Sequence, residues 1–93
     1  MKKFFYRVNA FDTIFSISEK FRVPIGVLIF DNNLKQEVSE GDVLFISVPD
    51  GKKYHPTPLD DYKSVAEKFN LTEDYLKEKN KAPYLFYGAW ILI

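Results

Sequence analysis

The stretch FDTIFSISEKF (residues 11–21) returns as LDDYKSVAEKF (residues 59–69), and the repetition runs well beyond those two phrases. Sliding residues 6–32 onto 54–80 needs no gap. Tyr6 meets Tyr54, Asp12 meets Asp60, Ser16 meets Ser64, Glu19-Lys20-Phe21 meets Glu67-Lys68-Phe69, and Asn32 meets Asn80. After one deletion, Gly41 meets Gly88 and Ile46 meets Ile93. Elsewhere the apolar character holds while the identity changes, as at Ile17/Val65 and Val23/Leu71. Burial is conserved and the surface drifts, which is the mark of a structural unit used twice. A chain of 93 residues then holds two units of about 45 residues, each too small for much of a core. The two are expected to pack together, or the chain to pair with another copy.

Each unit carries the same internal order. FFYRV (4–8) is a short β-type run, followed by Asp12 as the expected N-cap of a helix. Ile14, Ile17 and Phe21 share one face of that helix, and Arg22-Val23-Pro24 ends it. A second short helix over about 25–31 turns Ile25, Leu28 and Ile29 inward and stops near Asn32-Asn33. DVLFISV (42–48) closes the unit as a strand after Gly41. In the second unit Asp60 is expected to cap a helix with inner face Tyr62, Val65 and Phe69. Thr72 caps the next helix, with Glu73 and Asp74 at its start and Lys77, Lys79 and Lys81 near its end, an order that suits the helix dipole. AWILI (89–93) is the closing strand, and the prolines of His55-Pro56-Thr57-Pro58 restrict the opening one to a short or edge strand. Ser47 to Lys53 is the linker. The expected fold is α+β: two tandem βααβ units, 4–48 and 54–93, each with two helices on a two-stranded antiparallel sheet.

Charge and composition exclude several functions. Lys and Arg number 13, as do Asp and Glu, and the halves balance separately, with six of each sign in residues 1–48 and seven in 49–93. A nucleic-acid binder carries a basic face and a net positive domain, so no nucleic-acid partner is expected. The absence of cysteine removes disulfides, thiolate nucleophiles and thiolate zinc ligands. His55, the one histidine, stands beside Pro56 in a linker and reads as solvent-facing, not as part of a triad or zinc site. Asp60-Asp61 lacks a partner acid at the spacing glycoside hydrolysis requires, so no catalytic or metal residue is assigned. Asn70-Leu71-Thr72 has the form of a glycosylation acceptor but reads as a turn and helix cap. In MKKFFYRVNAFD, Arg7, Asn9 and Asp12 interrupt the apolar stretch of a signal peptide, and no run approaches the roughly 20 apolar residues of a membrane helix. Synthesis in the cytoplasm without signal-directed export, and no membrane association, are expected.

Tyr6-Arg7-Val8, Asp12-Thr13-Ile14, Ile17, Phe21, Val23, Leu28, Asn32, Gly41 and Leu44-Phe45-Ile46 together resemble the LysM module. The likeness spans about residues 5–47. Residues 54–93 resemble a degenerate copy, through Tyr54, Asp60, Val65-Ala66, Phe69, Leu76, Asn80, Gly88 and Ile91-Leu92-Ile93. The resemblance implies the βααβ fold and non-catalytic binding, without cofactor, of N-acetylglucosamine polymers such as peptidoglycan or chitin. It also implies action at a bacterial cell wall or spore envelope.

The implied groove lies between the loop before the first helix and the loop after the second: Phe11, Asp12, Thr13 and Ile14 with Asn32, Asn33, Leu34 and Lys35. In the second unit the matching loops are 59–62 and 80–82. Phe11 and Leu59 stand where the family has glycine, and Asp61 replaces the threonine. A charge facing a neutral sugar is costly, so the first groove is the expected site, with Phe11 either blocking it or stacking on the sugar. The alternative is an assembly adaptor for a spore coat or phage structure, which keeps the fold without binding glycan. Phe and Tyr residues exceed what two small cores need. Tyr84-Leu85-Phe86-Tyr87 is therefore expected to be buried between the units or in a homodimer.

Overall fold

The computed structural model describes residues 2–93. Two βααβ units follow one another. The first is β1 (Lys2–Arg7), α1 (Ile14–Phe21), α2 (Ile25–Asn32) and β2 (Val43–Val48). The second is β3 (Lys53–Tyr54), α3 (Tyr62–Phe69), α4 (Glu73–Asn80) and β4 (Ile91–Leu92). In each unit the outer strands pair antiparallel, Phe5 opposite Phe45 in one sheet and Tyr54 opposite Ile91 in the other. The sheets are separate, two strands each.

The alternation of β1 and β2 turns Leu44 and Ile46 under the helices, where they meet Val8, Ile17, Val23 and Leu28. The second unit has its own smaller core of Tyr62, Val65, Ala66, Leu76 and Ile91. Its sheet is the weaker one. AWILI forms only a two-residue strand, because Gly88 turns the chain at φ 79° and Ala89 still bonds back to Phe86. The linker is also shorter than 47–53, since β2 continues to Val48 and β3 begins at Lys53.

The expected helix caps need correction by one residue. Thr13, not Asp12, caps α1, and Asp61, not Asp60, caps α3. Each accepts from the N–H three residues on, and Ser16 or Ser64 returns the bond to the cap backbone. The Thr-to-Asp change is therefore a swap between two good cap residues, and the Asp61 charge faces a helix N-terminus that favours it. Thr72 caps α4 as expected.

All four helices end on a left-handed residue, and none of the four is glycine: Arg22, Asn33, Asn70 and Lys81. Asparagine tolerates that conformation better than most residues, arginine and lysine less well. The two cations use the position to reach across the molecule. Arg22 lies 5.3 Å from the Trp90 ring and Lys81 lies 5.1 Å from the Phe30 ring. Glu19 adds two more ties, to His55 Nε2 at 3.0 Å and from the Trp90 indole N–H at 3.1 Å. His55 is thus an inter-unit contact, not a side chain facing only water.

Between these ties α2 lies against the end of α4 at Gly26. A methyl group there would stand 2.2 Å from the Asn80 carbonyl oxygen and 2.9 Å from both the Lys81 oxygen and the Ala82 Cβ. Backbone atoms cannot give way as a flexible side chain can. Gly26→Ala is expected to destabilise the chain by about 1–3 kcal/mol, read as a lowered urea midpoint. A midpoint equal to wild type would show that the units do not pack closely here.

Candidate functional site

In both units the loop before the first helix is pinned by a carboxylate. Asp12 accepts from the Tyr6 hydroxyl, the Asn9 N–H at 2.9 Å and the Ser16 hydroxyl at 3.3 Å. Asp60 accepts from the Tyr54 hydroxyl at 2.6 Å, the Thr57 N–H at 2.9 Å and the Ser64 hydroxyl at 3.1 Å. The Tyr54 hydroxyl bond, then the Thr57 amide and Ser64, hold the Asp60 carboxyl down to about 2, with Lys68 assisting by charge. The Asp12 carboxyl is lowered in the same way, first by Tyr6 and then by the Asn9 amide. These aspartates anchor loop to strand and have little accepting capacity left for a sugar.

Asn32 is more fully committed. Its amide donates to the carbonyls of Leu28 (3.0 Å) and Phe45 (2.9 Å), and its oxygen accepts from the Phe45 N–H (2.7 Å). Both donors are spent and one lone pair is left. Asn80 repeats the arrangement with Leu76 and Leu92. Its role is to tie the second helix to the closing strand.

The other sequence-expected residues divide clearly. The Thr13 side chain is occupied as a cap, while Ile14 and Leu34 are half-buried against the first core. Phe11 is 96% exposed and does not fill the groove, and Asn33 and Lys35 are also exposed. Sequence reading missed Glu37. Its Oε1 accepts from the Ile14 N–H at 2.7 Å and from the Val38 N–H at 2.9 Å. The carboxylate crosses from the loop after α2 to the start of α1, joining the two walls of the expected groove. No local signal marks it, since Glu37 is one acid among several and its partner lies 23 residues away.

The second unit is open at the corresponding place. A cavity of about 380 Å3 lies between the start of α3 and the segment after α4, lined by Asp61, Tyr62, Lys77, Tyr84, Leu85 and Tyr87 among others. The Tyr62 hydroxyl donates to the Ala82 carbonyl at 3.0 Å and ties the two walls beneath the cavity. Burial pushes the Tyr62 phenol up to about 12, so it remains a donor at neutral pH. Tyr84 and Tyr87 are exposed and Leu85 and Phe86 half-buried, so the aromatic end is not sealed between the units as expected. Two of its tyrosines form a cavity wall instead.

Among the described residues, no group of three or more His, Asp or Glu could hold a metal ion, and no helix is long and apolar enough to cross a membrane.

The βααβ order of the first unit agrees with comparison to known families. Residues 6–47 are a LysM domain. The match ends at the first unit. The spore cortex-lytic enzyme SleL of Bacillus cereus is similar to the whole chain at 18% identity and a TM-score of 0.48, covering 23% of that enzyme. The SleL of Bacillus megaterium QM B1551 is similar over 96% of the chain at 28% identity and a TM-score of 0.44, covering 22% of that enzyme. The chain thus spans under a quarter of either enzyme's length. Among curated proteins, none matches.

Because the Asp60 carboxyl lies below its ordinary 3.8, its stabilisation is present at neutral pH and lost as pH falls from about 4 through about 2. Asp60→Asn is expected to lower the urea midpoint at neutral pH and to flatten its decline over that acid range. An unchanged decline in the variant would place the acid sensitivity elsewhere.

Proposed function

We propose that this protein is a non-catalytic glycan-binding protein whose ligand is an N-acetylglucosamine polymer of the peptidoglycan or chitin type, acting at a bacterial cell wall or spore envelope. The LysM domain at residues 6–47 carries this reading. We also read residues 4–48 and 54–93 as two domains, the second a degenerate copy of the first. The shared capping boxes and asparagine ties support that division.

The chemistry of the loops suits such a ligand. An N-acetyl group offers an amide donor, a carbonyl acceptor and a methyl, while a pyranose ring offers an apolar face. Backbone groups and aromatic side chains can meet all of these in a shallow site. In the first unit the candidate contacts reduce to Phe11, Asn33 and Lys35, with Ile14 and Leu34 beneath them. Asp12, Thr13 and Asn32 hold the loops in place. The second unit supplies a cavity with Tyr84 and Tyr87 as stacking faces, and an α3 whose first N–H, on Tyr62, has no partner among the described residues. That cavity favours the second groove as the main point of contact, the reverse of the order expected from sequence.

Retention on purified peptidoglycan and on chitin, run beside size-exclusion chromatography, tests the reading. The protein is expected to be retained on at least one polymer. With both halves neutral, affinity is expected to change by less than about tenfold between low and physiological salt. Failure to bind either polymer would leave the assembly adaptor as the better reading. A steep salt dependence would indicate an anionic partner.

A further inference from the structure

We infer that Glu37 decides which of the two grooves is open, by occupying the first one from within. This rests on the glycan reading above and adds a control to it.

In the first unit the N–H of Ile14, the first residue of α1, points at the Glu37 carboxylate 2.7 Å away. The same oxygen takes the Val38 N–H at 2.9 Å, which fixes the carboxylate over its own loop. A ligand carbonyl lying between loops 11–14 and 32–35 would need that Ile14 N–H and would meet a negative oxygen already in place. Glu37 therefore stands in for a ligand acceptor. Being part of the chain, it competes at a high and constant effective concentration.

The second unit shows the same architecture without the plug. Asn32 and Asn80 stand 48 residues apart but the residues they fix, Phe45 and Leu92, stand 47 apart, so one residue is lost between them and the stretch before the closing strand aligns at 47. Val38 and Leu85 both pack against their cores in that register. Glu37 then corresponds to Tyr84, which cannot supply a carboxylate. Tyr84 lines the cavity instead, and the Tyr62 N–H, the counterpart of that of Ile14, has no partner among the described residues. The difference between a closed and an open groove comes down to this pair of positions.

Glu37 also has a plain structural use, since it satisfies a free N–H at a helix start. The two roles separate experimentally. A latch that is closed nine-tenths of the time weakens apparent affinity about tenfold, so its removal should return that factor.

The test is an amide-resolved NMR titration of the full chain with a chitin tetrasaccharide, for wild type, Glu37→Ala and Glu37→Gln. In wild type, shifts are expected at Tyr62 and around Tyr84–Tyr87. Glu37→Ala is expected to add shifts at Phe11, Ile14, Asn33 and Lys35, with a gain of about tenfold in first-unit affinity. Its Ile14 N–H should exchange faster before any ligand is added. Should Glu37→Ala fail to fold, Glu37→Gln keeps the size and a weaker acceptor, and a gain of about two- to threefold is expected. Glycan shifts in the second unit with no gain in the first for a folded variant would overturn the role of Glu37 and leave the glycan reading standing. Equal wild-type binding in both grooves would do the same. Absence of shifts in every protein would overturn this inference together with the glycan reading.

Discussion

The asparagine at the end of the second helix holds each unit together. Asn32 bonds both backbone groups of Phe45, and Asn80 bonds both backbone groups of Leu92. Each also bonds the carbonyl of its own helix four residues back. One side chain thereby finishes a helix and completes the outer edge of a two-stranded sheet. In units with so few buried side chains, this fixes the distance between helix and strand that packing alone would leave loose. Asn80 is 2% exposed, so its loss would strand buried backbone groups without water to replace it.

The loops depend on that frame. Once α2 is anchored to β2, the segment that follows it passes the start of α1, and once α4 is anchored to β4 the next segment passes the start of α3. The aspartates Asp12 and Asp60 then fix the other wall by bonding back to Tyr6 and Tyr54 on the first strands. Two rigid walls come face to face in each unit. Their contents differ: a carboxylate bridge in one, and a tyrosine-lined cavity in the other.

The relation between the units has a different basis. It depends on the missing side chain at Gly26 and on cations projected from left-handed residues. Arg22 and Lys81 accept an unfavourable backbone conformation and place their charges on Trp90 and Phe30. With Glu19 bridging His55 and Trp90, the contact between the units is mixed in character, made by one close backbone approach and several exposed polar and aromatic pairs.

Sequence alone determined the repeat, the order of elements, the absence of thiol chemistry and the inner faces of the helices, except at Phe69, which was expected inward on α3 and is exposed while Ala66 is buried there. These depend on local periodicity and on residue type, both visible along the chain. The helix starts were misplaced by one residue because Asp-Thr and Asp-Asp each offer two adjacent caps. Only the backbone angles show which one turns its oxygen inward. Asn32 was singled out at the right position with a ligand role, although its donors are spent on its own helix and on a strand 13 residues away. Glu37 carried no signal at all, since its contact spans 23 residues. That a carboxylate meets the start of α1 while a tyrosine-lined cavity lies at the start of α3 was decided by tertiary structure, because it depends on which side chain the folded loop brings there, and neither periodicity nor composition records that meeting.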